Sequence, residues 1–294
     1  MSWLQIILDT DAPRVEPISD GLFALGAVSV TLLDAENQPL YEPPLNDTPL
    51  WEHTRVVGLF EGDTDLSELQ SQLPAVLAPL PPYQIQRLED QEWSRVWMED
   101  FHPMRFGERV WICPNWQTPP NSKAINIFLD PGLAFGTGTH ATTALCLEWL
   151  DKQTDLSGQT LIDYGCGSGI LAITAAKLGA AHVWAVDHDP QALLATHQNA
   201  NQNEVQTAIS AVLPEQLPST LKADSLIANI LATPLIELAA TFAAHLNDGA
   251  PLVLSGILKE QVREVIMAYQ PNFIIIDIWE RDNWACIVAQ KNND

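Results

Sequence analysis

The chain has 294 residues and is 47% hydrophobic, enough for one large core or two moderate ones. Fourteen basic against 37 acidic residues give a net charge of -23, which excludes general attraction to a phosphate backbone and suits a basic partner. Cys113, Cys146, Cys166 and Cys286 form no close pair and the seven histidines are scattered, so no zinc knuckle, disulfide framework or other metal site is expected.

In chain order, SWLQIILDT reads as a strand, DAPRVEPISDGLFALG as a helix despite its prolines, and AVSVTLLDA as a second strand. HTRVVGLFEGD continues the sheet, LSELQSQLPAVLAPL reads as a helix and YQIQRLED as a last strand. This order predicts a small ferredoxin-like α/β domain over residues 1–90, with no catalytic constellation in it. Residues 1–110 hold 19 acids and 6 bases, against 18 and 8 in the remainder, so the smaller part is denser in negative charge. A grip for a Lys-rich or Arg-rich substrate is one reading; a solubility surface, or adaptation to a salty environment, is the other.

Residues 91–124 read as an aromatic-rich connector containing Trp93, Trp97, Phe101, Phe106, Trp111 and Trp116. The surrounding acidity opposes base stacking, so core and interdomain packing is the expected use. Arg105 and Arg109 are expected to pair with acids or to orient the second domain. Pro119, Pro120 and Asn121 mark a break before INIFLDPG.

The second domain spans 125–294 and centres on LIDYGCGSG, a strand entering a glycine-rich turn, followed by the helical ILAITAAKLGA. HVWAVDHD supplies a second strand ending at Asp187, and Pro190 opens the next helix. Gly165, Gly167 and Gly169 admit close backbone approach, and Asp187 is suited to accept ribose hydroxyls. The third glycine falls four residues after the first, whereas a dinucleotide fingerprint places it five after. One nucleoside without a pyrophosphate fits better, with S-adenosylmethionine the leading candidate.

ADSLIANI, PLIELAATFAAHL, APLVLSG and KEQVREVIMAY continue a strand and helix alternation, and PNFIIIDIWE and NWACIVAQ close it as adjacent strands. The apolar span LIANILATPLIELAATFAAHL carries Asn229, Pro234, Glu237 and His245, so it reads as strand, loop and packed helix rather than a membrane span. No basic region followed by an apolar run opens the chain, and a soluble cytoplasmic protein is expected. Ligands of such sheets lie at the carboxyl ends of the strands, where Gly165, Asp187 and Asn229 all fall.

LDPGLAFGTGTHATT at 129–143, together with LIDYGCGSGILAITAAKLGA, VWAVDHDPQAL and LIANILATPL, resembles the PrmA family, the methyltransferase of large-subunit ribosomal protein eleven. The resemblance implies an N-terminal substrate-recognition domain and a seven-stranded Rossmann-like class I methyltransferase domain. It also implies methyl transfer from S-adenosylmethionine to lysine side chains and the N-terminal amine of that ribosomal protein. Thr143, Gly165, Asp187 and Asn229 match the family's cofactor positions, and Phe135 to Gly138 match the loop that encloses the cofactor. Phe135, Thr143, Gly165, Gly167, Gly169, Asp187 and Asn229 are therefore the expected cofactor residues, Asn229 also orienting the acceptor amine. Thr139 and Thr142 are expected to cap or pin the following helix. His140 is read as structural or as a proton acceptor, and Asp163 as structural or cofactor-associated. The competing readings are a methyltransferase of another protein or a small molecule, and a nucleoside-binding regulatory protein without turnover.

Overall fold

A computed structural model describes residues 2–36, 50–88, 102–129 and 140–293. The chain divides into two compact units, Met1–Trp97 and Met98–Asp294. The first contains β1 (Trp3–Asp11), α1 (Ala12–Ala24), β2 (Ser29–Asp34), β3 (His53–Glu61), α2 (Leu66–Val76) and β4 (Tyr83–Leu88). Its strands lie in the order β2-β3-β1-β4, every neighbouring pair antiparallel, which is a split βαβ arrangement. Alternation along β1 turns Leu4, Ile6 and Leu8 onto Val15, Ile18 and Leu22 of α1 and Leu69 and Leu73 of α2. Pro13 falls in the first turn of α1, where no intrahelical donor is needed. Asp65 caps α2 by accepting the N–H groups of Ser67 and Glu68.

The second unit opens with β5 (Met104–Phe106), β6 (Val110–Pro114) and β7 (Ile125–Leu129), which form a three-stranded sheet. The connector reading of 91–124 placed no strands here. The two strands that end before Pro119 are only three and five residues long, too short for a period to stand out from the aromatic composition. A buried acid on the next helix, α3 (Ala141–Lys152), anchors the β5–β6 hairpin. Asp151 accepts Glu108 N–H at 2.7 Å and Arg109 N–H at 2.9 Å, and the Arg109 guanidinium donates to the carbonyls of Asp151 and Gln153. Arg105 donates to the Glu108 carbonyl. Phe106 is buried in the core and Trp116 packs on it, while Trp93, Trp97 and Phe101 lie outside the described residues.

The remaining strands form one seven-stranded sheet. In chain order its elements are β8 (Thr160–Tyr164), α4 (Ile170–Lys177), β9 (His182–Val186), α5 (Pro190–Gln202), β10 (Ile209–Val212), β11 (Ser225–Asn229), α6 (Ala232–His245), β12 (Pro251–Leu258), α7 (Val262–Tyr269), β13 (Phe273–Arg281) and β14 (Trp284–Lys291). The spatial order is β10-β9-β8-β11-β12-β14-β13, parallel as far as β12, with β14 antiparallel to both of its neighbours. Successive strand residues supply opposite cores. Leu161, Val183, Ile227 and Val253 pack with α3 and α4, whereas Ile162, Val186, Leu226 and Leu252 pack with α6 and α7. On the second face the buried Tyr269 hydroxyl donates to the Leu235 carbonyl, binding α7 to α6.

At the amino ends of the strands, Asp224 accepts Thr160 N–H at 2.8 Å and the Asn247 amide at 3.0 Å. All four cysteines are buried free thiols. Among the described residues no helix is long and apolar enough to cross a membrane.

Candidate functional site

Register brings the three strand-end residues to one level. Tyr164 of β8 lies opposite Val186 of β9 on one side and Ala228 of β11 on the other. The next residue along each strand is Gly165, Asp187 or Asn229, so three sequence-distant positions share one edge of the sheet.

The turn after β8 is held to β9 by the Val186 carbonyl, which accepts Gly165 N–H at 2.7 Å and Cys166 N–H at 3.0 Å. Gly165 has φ +80°, and a Cβ there would collide with the Ile230 side chain, so glycine is required on both counts. Asp187 is 8% exposed, and both of its oxygens receive backbone donors: Gly167 N–H at 2.9 Å and Asp189 N–H at 3.0 Å. Each carboxylate oxygen retains a further lone pair, which is what two ribose hydroxyls need. Asp189 in turn caps α5 through Gln191 N–H.

Beneath the turn, Asp163 is 2% exposed; one oxygen accepts Ala172 N–H at 2.9 Å in the first turn of α4. Its other oxygen is buried without a hydrogen-bond partner among the described residues. Burial pushes the Asp163 carboxyl up to about 7; Ala172 N–H works against that rise and the nearby Asp187 charge adds to it.

Across the edge, Asn229 Nδ2 donates to Thr143 Oγ1 at 3.2 Å, joining β11 to the first turn of α3. That bond leaves the Thr143 hydroxyl proton as a donor and Asn229 Oδ1 as an acceptor. A second tie runs from Ser255 Oγ to the Thr142 carbonyl at 3.0 Å. Capping of α3 falls to His140, whose Nδ1 accepts Thr142 N–H and lies 2.8 Å from Thr142 Oγ1. Thr142 thus pins the start of α3 through His140 rather than capping it, and Thr139 lies outside the described residues. The His140 ring also meets Trp284 edge-on, with centroids 4.9 Å apart.

A family model described as ribosomal protein L11 methyltransferase, PrmA, matches residues 2–292. The chain belongs to the PrmA family. Relatives named ribosomal protein L11 methyltransferase include those of Aliivibrio salmonicida, 50% identical over 294 residues, and Nitrosococcus oceani, 50% identical over 293. Each alignment takes in 99% of this chain and the whole of the relative. A crystal structure titled ribosomal protein L11 methylase from Lactobacillus delbrueckii subsp. bulgaricus is 32% identical; it covers 66% of this chain and all of that one, with a TM-score of 0.59. The mostly parallel seven-stranded sheet is that of the class I methyltransferases, the fold expected of a PrmA chain.

Of the residues expected to hold the cofactor, Thr143, Gly165, Gly167, Gly169, Asp187 and Asn229 are gathered at the carboxyl edge, whereas Phe135 and the rest of FGTG lie outside the described residues. Sequence reading missed Gly256. It has φ +84° at the irregularity in β12, and a Cβ there would strike the Ile230 backbone. Ile230 is therefore clasped between two left-handed glycines, Gly165 and Gly256, and that clasp fixes the residue following Asn229. Gly256→Ala is expected to displace this segment and to lower kcat by at least about 10-fold through lost alignment at the strand-end edge; steady-state kinetics with wild-type turnover would contradict it. Among the described residues no cluster of three or more His, Cys, Asp or Glu is placed to hold a metal ion.

Proposed function

We infer that this PrmA chain transfers methyl groups from S-adenosylmethionine to amino groups of ribosomal protein L11, both lysine side chains and the N-terminal amine. The observation that carries the reading is the shared strand-end level of Gly165, Asp187 and Asn229 in a chain matching the family from residue 2 to 292. The donor-acceptor set fits the cofactor: a buried carboxylate for the ribose, a glycine turn that lets backbone approach, and a Thr143 hydroxyl left able to donate. When bound, S-adenosylmethionine supplies an electrophilic methyl group already activated by its sulfonium.

The chain's residues then have three tasks. Asp187 holds the ribose and braces the turn through Gly167. Thr143 and Asn229 set each other's orientation, and Asn229 Oδ1 accepts an N–H of the incoming amine, aiming its lone pair. Exclusion of water around the acceptor favours the unprotonated amine that transfer requires, because desolvation penalises an ammonium ion. No side chain is assigned as a dedicated base. His140 Nδ1 is taken up in the helix cap, so a structural role suits it.

Residues 1–90 are proposed to grip the substrate, their dense negative charge meeting a basic protein and their lack of a catalytic constellation leaving recognition as their task. A cytoplasmic location is proposed on the same ground, since the substrate is ribosomal. Intact-mass spectrometry of purified ribosomal protein L11, incubated with the enzyme and S-adenosylmethionine, tests the assignment. Successive increments of about 14 Da, absent with Asp187→Ala, are expected; an unmodified L11 would overturn it.

A further inference from the structure

Helix α5 buries a polar stripe. Thr196 and Asn199 within the helix, and Asn203 at its C-cap, are 0%, 1% and 1% exposed, and their spacing of three and then four residues puts them on one face. Buried polar groups persist where they are hydrogen-bonded, and here each one engages main chain. Thr196 Oγ1 donates to the Gly167 carbonyl at 3.0 Å and Asn199 Nδ2 donates to the Ser168 carbonyl at 2.8 Å. Asn203 imitates a neighbouring strand: its Oδ1 accepts Phe128 N–H at 2.8 Å and its Nδ2 donates to the Phe128 carbonyl at 2.7 Å.

The Cys166 carbonyl is already occupied by Gly169 N–H at 2.8 Å. Three successive carbonyls of the glycine-rich turn therefore end on protein donors, two of them on α5. In a trans peptide the N–H points opposite to the C=O, so holding the Gly167 and Ser168 oxygens toward α5 keeps them off the opposite edge of the turn. An unheld peptide could rotate and present a carbonyl oxygen instead, which would repel an anionic group. Thr196 also sits tightly under Gly169, where a Cβ would come within 2.9 Å of its Oγ1 and Cγ2.

We propose that Thr196 and Asn199 are positioning residues of the methyl-donor site, holding the Gly167 and Ser168 carbonyls on the helix side so that neither oxygen faces the bound donor. The proposal rests on the turn being the S-adenosylmethionine site. Thr196→Val removes the hydroxyl but keeps the branched shape, and Thr196→Ser restores the hydroxyl.

In the full-length enzyme, Thr196→Val is expected to raise the Kd and KM for S-adenosylmethionine by about 10-fold. Its kcat at saturating donor should fall by less than KM rises, and Thr196→Ser should recover most of the affinity. Should Thr196→Val melt below the assay temperature, Asn199→Ser withdraws the donor from the Ser168 carbonyl and is expected to raise Kd in the same way. A folded Thr196→Val with wild-type affinity, or a Thr196→Ser as weak as the valine variant, would overturn the proposal. With Asp187→Ala as the control, normal binding by Thr196→Val alone removes the proposal only. Normal binding by Asp187→Ala, or none by the wild type, removes the donor-site reading with it.

Discussion

Asp187→Ala is expected to weaken S-adenosylmethionine binding by about 100-fold, the largest effect of any single substitution at the cofactor edge. Its carboxylate has two duties. In the proposed site it offers lone pairs to the ribose, and hydrogen bonds to a charged group contribute about 1.5–3 kcal/mol each. Toward the protein it accepts Gly167 N–H and Asp189 N–H, so its loss strands one donor in the turn and one before α5. Asp187→Asn keeps one oxygen and is expected to fall between wild type and alanine. Titration calorimetry at fixed ionic strength measures all three; an alanine variant with unchanged Kd would remove Asp187 from the site.

The second large effect concerns stability. Asp163 is buried and its carboxyl is pushed up to about 7, against 3.8 for an ordinary aspartate. Between those two values the folded protein retains a proton that the unfolded chain has released. The contribution is fully present below the unfolded value and is lost as pH rises through the folded one. From pH 5.5 to pH 8 the loss from this group is about 2 kcal/mol. Asp163→Asn carries no charge at either pH, keeps an oxygen for Ala172 N–H and places an amide nitrogen at the unpartnered position. Its stability relative to wild type should therefore rise by that amount between the two pH values, as read by urea unfolding of the ligand-free protein. A difference independent of pH would mean that Asp163 does not titrate in this range.

What sequence alone could reveal follows the range of the interactions. LIDYGCGSG and HVWAVDHD are local patterns: an apolar strand, a turn only glycine fits, and an acid at the strand end. Their positions in β8 and β9 are those expected. The edge strand β10 was passed over, because its residues ISAV are four long and only Ile209 is fully buried. Gly256 looked like the end of a strand, whereas β12 continues to Leu258 through an irregularity that requires a left-handed residue. His140 was unreadable as a cap because histidine is outside the strong capping set of Ser, Thr, Asp and Asn. Thr143 and Asn229 meet across 86 residues, and Asn203 reaches Phe128 across 75; no local period encodes either contact. The polar stripe of α5 lowers that helix's apparent amphipathicity, so the feature that fixes the turn also obscured the buried face.

The strands of the large sheet are parallel from β10 to β12, so their carboxyl ends share the edge of the proposed site and their amino ends lie at the opposite edge. Gly165, Asp187 and Asn229 occupy the first, while Asp224, with Thr160 and Asn247, fastens the second. One short strand therefore carries two separable tasks, one at each end. A substitution at the lower rim is then expected to change stability, and one at the upper rim to change the proposed donor site.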